Sequence, residues 1–285
     1  MNSVNQTVLQ LLNDCRQSLA VIYDDREAAS IASLVMESVT GLHATGLMLH
    51  ADQLVTVDQK SKAGQMLERL MAHEPIQYVM GNAPFFGMQL DVNHHVLIPR
   101  PETEELIQWI LEEEKQQKLS VLDIGTGSGC IAISLSAHLT EAHVTGIDKS
   151  AEALHVAGGN ADRMGLDVHW HVCDILVSDP PGIPYDLVVS NPPYIHPGEA
   201  GTLAAHVVDH EPGMALFVDG SDALIFYKRM AEKRHEWLKP GGRLYVEVHS
   251  INASQVRDLF MQSGFVNVEL KEDINGRPRM IRAEM

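Results

Sequence analysis

The sequence has 285 residues, of which 45% are hydrophobic and 21% are charged. This length exceeds one typical domain of ~100–200 residues, and the composition excludes a disordered or fibrous chain. The 21 basic and 38 acidic residues give a net charge of −17 at pH 7. A surface this acidic repels a phosphate backbone, so avid sequence-independent binding of nucleic acid is disfavoured.

The cysteines and the lack of a signal or membrane segment indicate the cellular compartment of the protein. Cys15, Cys130 and Cys173 are widely spaced and form no CxxC pattern, which indicates a reducing environment. The N-terminus lacks the basic start and long apolar run of a secretory signal, and no stretch approaches the ~18 apolar residues of a membrane span. We therefore expect a soluble cytoplasmic protein with no membrane partner.

The first part of the chain has the apolar spacing of helices. Apolar residues recur three or four positions apart up to about residue 75, for example at Val8, Leu11 and Leu12. This spacing is typical of amphipathic helices packed on one another. We predict a small all-helical domain at residues 1–83.

The helical spacing of apolar residues ends before residues 84–101. Here the sequence is extended and is interrupted by Gly87 and several prolines, a pattern that favours a hairpin over a helix. We therefore predict a hairpin connector at residues 84–101, followed by a second domain at residues 102–285.

Beyond residue 102, short apolar runs alternate with amphipathic segments. The runs VLDI, HVTGID, VHWHVCD and DLVVS are separated by helical patterns or turns, and this alternation predicts a doubly wound α/β domain with a parallel sheet. Two further strands are predicted near the end of the chain, at residues 266–270 and 279–283.

The strand predicted at VLDI, residues 121–124, ends in a glycine-rich loop. The loop consists of Gly125, Thr126, Gly127, Ser128 and Gly129. Glycine tolerates positive φ and lets a ligand approach the backbone closely. A dinucleotide-binding loop has the spacing GxGxxG, and Cys130 occupies the position of its third glycine. Binding of NAD is therefore disfavoured.

Three aspartates lie near the carboxyl ends of the predicted strands. Asp148 ends the second strand, where a carboxylate meets the ribose hydroxyls in nucleotide-binding α/β units. Asp174 follows the third strand and can accept a hydrogen bond from an adenine amino group. Asp123 precedes the glycines and would either face a cationic amino group or order the loop. Taken singly, Asp148 and Asp174 are more typical of a helix cap or a solvated turn residue.

Together these residues resemble the first motif of the class I methyltransferases that use S-adenosylmethionine. The resemblance covers residues 120–175 and matches Asp123 and the three glycines of the loop. It implies a Rossmann-like sheet, and it implies that the loop with Asp148, Asp174 and Ile175 holds the cofactor. Relatives often carry an aromatic residue after the third-strand acid, whereas Ile175 supplies only an apolar wall for adenine.

The fourth strand ends abruptly in Asn191, Pro192, Pro193 and Tyr194. The prolines cannot continue a strand ladder, so the turn lies at the carboxyl edge of the sheet, where open α/β sheets bind ligands. A carboxamide or an adenine amino group is a poor nucleophile. The side-chain oxygen of Asn191 and the backbone carbonyl of Pro192 can accept its two N–H bonds and orient it. Tyr194 can lie on its planar face.

This NPPY motif resembles the one shared by adenine-N6 and glutamine-N5 methyltransferases, so the motif alone leaves the acceptor open. Residues 76–106 and the segment HEPGMALFVDGSDAL widen the resemblance to nearly the whole chain. They resemble the peptide chain release factor glutamine methyltransferases of the PrmC/HemK type. The resemblance implies S-adenosylmethionine as cofactor, Asn191 as a contact to both ligands, and release factors, through their GGQ glutamine, as protein partners. It also implies that the helical domain helps to hold that substrate.

The segment LIPRPETE, residues 97–104, is distinctive of this family. We expect Arg100 and Glu102 at the lip of the substrate pocket, with an interdomain salt bridge and a helix N-cap as the alternative roles. Glu211 and Pro212 are candidates for the wall of the substrate channel.

Other functions remain as alternatives. They are an adenine-N6 methyltransferase acting on DNA or RNA, a glutamine methyltransferase of a ribosomal protein, and a non-catalytic adaptor that binds S-adenosylmethionine. The acidic surface disfavours a nucleic-acid substrate, and an adaptor would not need an intact NPPY motif. The fifteen histidines form no HExxH pattern, so we expect no metal site. We expect a monomer.

Overall fold

The computed structural model describes residues 6–114, 118–202, 205–218, 220 and 222–285. The chain divides into two compact units, Met1–Gly81 and Asn82–Met285. Among the residues described, none of the helices is both long enough and apolar enough to cross a membrane.

In the part of the first unit that the structure describes, the regular elements are helices. Its helices are α1 (Val8–Leu19), α2 (Asp25–Thr40), α3 (Ala44–Leu49), α4 (Val57–Met71) and α5 (Ile76–Met80). Two of the starts are capping boxes, in which Thr7 pairs with Gln10 and Thr56 pairs with Gln59, so that orphan backbone N–H groups are satisfied. The apolar stripes of the helices meet in a core that includes the fully buried Leu19.

The second unit begins with a β-hairpin. Its strands are β1 (Asn82–Phe85) and β2 (Met88–Asp91). Both residues of the turn have positive φ, 47° at Phe86 and 75° at Gly87, which matches the twist of a two-residue hairpin. The predicted connector at residues 84–101 thus starts inside β1, and the division of the chain into functional domains stays a prediction.

The rest of the second unit is a seven-stranded sheet with helices on both faces. Its strands are β3 (Ser120–Ile124), β4 (His143–Asp148), β5 (Val168–Val172), β6 (Tyr185–Ser190), β7 (Leu238–Glu247), β8 (Val266–Glu272) and β9 (Pro278–Glu284). Its helices are α6 (Pro101–Glu113), α7 (Cys130–His138), α8 (Ala151–Met164), α9 (Ala205–His210), α10 (Gly213–Leu216), α11 (Ile225–Glu232), α12 (Arg234–Trp237) and α13 (Ala253–Gln262). The strand order is β5-β4-β3-β6-β7-β9-β8.

Alternate residues of the central strands bury into two separate cores. On β3, Val121 packs into the cluster that contains residues of α6 and α7, whereas Leu122 packs into the cluster that contains residues of α11 and α13. This period of two is what a strand covered on both faces requires. The predicted class I methyltransferase fold, with a helical N-terminal region, is confirmed.

The sheet is not wholly parallel, however. β9 pairs antiparallel with both β7 and β8, whereas the alternating pattern predicted a parallel sheet. Only residues 273–277 join β8 to β9, and a parallel crossover needs a dozen residues or more. Asp273 closes this turn by accepting the backbone N–H groups of Asn275 and Arg277.

The side chain of Trp170, on β5, packs against Gly129 and Gly146. A Cβ on Gly146 would lie 2.3 Å from the Trp170 ring, and a Cβ on Gly129 would lie 3.2 Å from it. We therefore expect Gly146→Ala to lower the free energy of unfolding by about 1–3 kcal/mol through overpacking. Urea denaturation followed by circular dichroism measures this change.

A second glycine provides the control for that substitution. Gly159 lies inside α8, and a Cβ there would meet nothing within 4 Å, so Gly159→Ala should raise stability by about 0.5–1 kcal/mol. An unchanged stability in Gly146→Ala would show that Trp170 moves aside at little cost.

Candidate active site

The glycine loop leaves β3 in a conformation that requires its glycines. Gly125, Gly127 and Gly129 have φ of 71°, 56° and 83°, in the left-handed region that side chains disfavour. The backbone N–H groups of Gly125 and Thr126 donate to the Ile147 carbonyl at 2.9 and 3.0 Å. The loop is thereby attached to the end of the neighbouring strand β4.

Asp123 lies behind this loop and is fully buried. Its Oδ2 accepts the Thr126 hydroxyl at 2.5 Å and the Ala132 N–H at 3.1 Å, so it orders the loop and the start of α7. Its Oδ1 has no partner among the residues described. Burial raises the pKa of Asp123 to about 7, against the effect of these hydrogen bonds. A cation beside Oδ1 would offset the cost of burying this charge.

Asp148 and Asp174 lie beside the loop at the carboxyl edge of the sheet. Asp148 ends β4, and its two oxygens accept the N–H groups of Gly127 at 3.0 Å and Ser150 at 2.9 Å. Burial raises the pKa of Asp148, while the same hydrogen bonds lower it. Asp174 accepts the N–H of Leu176 at 2.9 Å. Both carboxylates keep free lone pairs for a ligand.

A cleft lies in front of the loop, with an empty volume of about 730 Å³ that is open to solvent. The predicted cofactor residues on its wall are Gly125, Gly127, Asp148, Asp174, Ile175 and Asn191. Ile175, 3% exposed, and Phe226 add apolar surface.

Four of the predicted cofactor residues do not line the cleft. They are Asp123, Thr126, Ser128 and Gly129. The side chains of Thr126 and Ser128 are buried in the protein, and Gly129 lies against Trp170. Because the loop turns these residues inward, the structure gives them a supporting position behind it.

The NPPY turn follows β6 and lies between two cavities. Asn191 and Pro193 line the cleft and also a second cavity. Tyr194 and Pro192 line the second cavity alone. After the turn, Ile195 forms an isolated parallel bridge with Phe217.

The side chain of Asn191 is hydrogen-bonded to the protein through its amide nitrogen. Its Nδ2 donates to the Thr103 hydroxyl oxygen at 3.1 Å. None of the residues that the structure describes donates to Asn191 Oδ1 or to the Pro192 carbonyl oxygen. Asn191 Oδ1, on a residue shared by the two cavities, and the Pro192 carbonyl, on a residue of the second cavity, are therefore acceptors to which the described residues supply no donor.

Arg100 lines the second cavity. Its guanidinium donates to the buried Glu211 carboxylate at 2.6 Å, and the same carboxylate accepts the Ile98 N–H at 3.2 Å. Arg100 also occupies the N-cap position of α6 without a capping side-chain bond. Both residues of the ion pair lie within the second unit, so it does not join the two units.

Glu102 lies in the first turn of α6 and lines neither cavity. Its charge raises the pKa of Glu247. Glu211 also lies behind the lining, where it holds Arg100.

Two residues at this site were not singled out from the sequence, Thr103 and Glu247. Both are buried, and Thr103 donates its hydroxyl to Glu247 at 2.6 Å. A signal for Glu247 does exist, because it interrupts the apolar run RLYVEV at the carboxyl end of a strand. Charged residues are rarely buried there without a partner.

Comparison with known proteins agrees with this arrangement. A family model described as the PrmC N-terminal domain matches residues 10–81, and one described as the methyltransferase small domain matches residues 102–225. The chain is 38% identical to the release factor glutamine methyltransferase of Flavobacterium psychrophilum, over 93% of this chain and 95% of that protein. The chain belongs to the release factor glutamine methyltransferase family.

A second member of the release factor glutamine methyltransferases, from Bacteroides thetaiotaomicron, is 38% identical over 94% of this chain and 96% of its own length. Among solved structures, a methyltransferase from Pyrococcus furiosus superposes with a TM-score of 0.54 at 16% identity, covering 78% of this chain and 98% of that one. That likeness concerns the fold. The family resemblance read from the LIPRPETE and NPPY segments is thus confirmed.

Proposed function

We propose that this chain transfers a methyl group from S-adenosylmethionine to the side-chain amide nitrogen of the GGQ glutamine in peptide chain release factors. The observation that carries the proposal is the position of Asn191 on the boundary between the cleft and the second cavity. Membership of the release factor glutamine methyltransferases favours this acceptor over an adenine base. We further propose that the protein is cytoplasmic and acts as a monomer.

The cleft holds the cofactor in this proposal. Asp148 accepts the ribose hydroxyls, Asp174 accepts the adenine amino group, and Ile175 packs against the base. Asp123 acts from behind the loop, where its hydrogen bonds to the Thr126 hydroxyl and the Ala132 N–H hold the loop and the start of α7 in place for the cofactor. When bound, S-adenosylmethionine supplies the electrophilic methyl group.

The second cavity holds the glutamine side chain. Asn191 Oδ1 and the Pro192 carbonyl accept the two N–H bonds of the substrate carboxamide, and Tyr194 covers its planar face. These hydrogen bonds hold the nitrogen at the boundary with the cleft and favour the pyramidal geometry in which its lone pair is available. As the nitrogen bonds to the methyl carbon, the bond from that carbon to the sulfonium sulfur would break and leave a neutral thioether. The nitrogen becomes acidic in this step, so it would release one proton to solvent without a strong general base.

Methylation of purified release factor tests the proposal directly. The chain is incubated with tritiated S-adenosylmethionine and either wild-type release factor or a variant whose GGQ glutamine is replaced by alanine. We expect tritium in the wild-type protein alone. Equal labelling of both proteins, or labelling of a ribosomal protein in preference to either, would identify a different acceptor.

We also expect residues 82–285 to fold and to bind S-adenosylmethionine without the helical unit, because the hairpin begins at Asn82 and this unit has its own cores. Its kcat/KM for release factor should fall by tenfold or more, about 1.4 kcal/mol, mainly through KM. Calorimetry with the cofactor and steady-state kinetics measure the two effects. An unchanged kcat/KM would remove any recognition role from the helical unit, and lost cofactor binding would show that the boundary is misplaced.

A further inference from the structure

A buried carboxylate that the proposed chemistry does not use lies next to the NPPY turn. Glu247 is the last residue of β7 and is 1% exposed. Its Oε2 accepts the Thr103 hydroxyl at 2.6 Å, and its Oε1 accepts the Tyr194 hydroxyl at 3.3 Å. Burying a carboxylate costs desolvation energy, so its position beside two residues of the site is informative about function.

The carboxylate fixes the direction of every hydrogen bond in this chain of contacts. An ionised carboxylate can only accept, so the single proton of the Thr103 hydroxyl is committed to Glu247. The Thr103 oxygen can then only accept, and it accepts from Asn191 Nδ2 at 3.1 Å. The Asn191 amide is thereby fixed with its nitrogen toward Thr103 and its oxygen left for a ligand.

The charges around Glu247 act on this arrangement. Burial raises the pKa of Glu247, and the charge of Glu102 raises it further. The hydrogen bond from Thr103 and the positive charge of Arg279 lower it. Arg279 itself lies beside Asp273, with Nε 3.4 Å from a carboxylate oxygen. Two hydroxyl groups, those of Thr103 and Tyr194, donate to the two oxygens of Glu247, which is the geometry of a carboxylate that accepts on both sides.

We propose that Glu247 and Thr103 are positioning residues that hold the Asn191 amide with its oxygen toward the substrate, and that this orientation makes the site select a carboxamide over a carboxylate. The inference rests on the proposed function and deepens it. A substrate carboxamide offers N–H donors and needs an acceptor, whereas a carboxylate offers only acceptors. If the Asn191 amide turned over, its nitrogen would face the substrate and the preference would be lost or reversed.

Thr103→Val and Thr103→Ser separate this role from packing. Valine has nearly the shape of threonine without the hydroxyl, and serine keeps the hydroxyl. The probes are release factor with its GGQ glutamine and the same protein with that glutamine replaced by glutamate, each titrated calorimetrically with enzyme saturated in S-adenosylhomocysteine. Single-turnover methylation of the glutamine form is measured in parallel.

We expect Thr103→Val to lower the preference for the glutamine form by roughly tenfold and the single-turnover rate by a similar factor, the worth of about one hydrogen bond. Thr103→Ser should restore both, and S-adenosylmethionine affinity should change by less than about twofold in either variant. A purely structural role would weaken both release factor forms equally. Retention of the preference in Thr103→Val, or its equal loss in Thr103→Ser, would overturn the proposal.

Glu247→Met provides a second route to the same result. Replacing a buried charge by an apolar residue of similar size is often tolerated, and it frees the Thr103 hydroxyl to donate to Asn191 Oδ1. The preference should fall as in Thr103→Val, and the double variant should lose no more than either single variant, because both act through one chain of contacts. Additive losses would contradict that chain.

The same experiment separates a failure of the proposed function from a failure of the positioning role of Glu247 and Thr103. If the wild-type enzyme does not methylate release factor, the proposed function fails and the inference fails with it. If the wild-type enzyme methylates release factor and Thr103→Val keeps both rate and preference, the inference alone fails.

Discussion

Replacing Asn191 by alanine is expected to lower the rate of methyl transfer by ~10²–10³, as removal of one preorganised hydrogen-bonding group does at an oxyanion hole. The side-chain oxygen of Asn191 is one of the two acceptors proposed to hold the substrate nitrogen, so its loss would leave that nitrogen held by the Pro192 carbonyl alone. Cofactor affinity should change far less than the rate, because Asp148 and Asp174 remain in place. Single-turnover kinetics and calorimetry measure the two quantities separately.

Asn191→Asp refines this test. Aspartate keeps an oxygen for the substrate but replaces the donor that faces Thr103 by a second acceptor, while the Thr103 proton stays with Glu247. We therefore expect a rate between those of wild type and Asn191→Ala. A near-wild-type rate in Asn191→Ala would reduce the NPPY motif to a strand-ending turn.

The second large effect concerns the cofactor. Asp148→Ala removes the carboxylate proposed to hold the ribose and also frees the Gly127 N–H that it fixes. We expect S-adenosylmethionine affinity to fall ten- to a hundredfold, or about 1.5–3 kcal/mol. Isothermal titration calorimetry measures it.

Asp162→Ala is the matched control, because Asp162 lies on the exposed surface of α8 and outside the lining of the cleft, so that its replacement removes the same charge without removing a group from the site. Its affinity for the cofactor should equal that of the wild type. Unchanged affinity in Asp148→Ala would show that the ribose is held by other residues.

The cleft could be predicted from the sequence because its residues follow a local rule. In a parallel sheet the carboxyl ends of neighbouring strands meet at one edge, so Asp148, Asp174 and Asn191 could be brought together from the strand pattern alone. The glycine loop was likewise readable, since three glycines at alternate positions after a strand predict positive φ. These assignments depend on residues within each strand and its turn.

The Glu247 chain of contacts could not be predicted in that way. Thr103 lies on a helix before the sheet and Glu247 lies on its fifth strand, 144 positions later, and no local pattern states which helix face meets which strand end. The antiparallel direction of β9 escaped prediction for a related reason, because its insertion between β7 and β8 is a tertiary property. Thr126 and Ser128 lie behind the loop because only the folded backbone shows which way its side chains turn.

The wall that Asn191 and Pro193 share between the cleft and the second cavity has a consequence for inhibitors. A compound confined to the cleft would compete with a cofactor that many methyltransferases use, and selectivity would be hard to obtain. A bisubstrate compound that joins an adenosine moiety to a glutamine-like amide would occupy both cavities at once. Because the two cavities adjoin at that wall, a short tether is enough to make the second contact intramolecular, and discrimination between acceptors would come from the amide end.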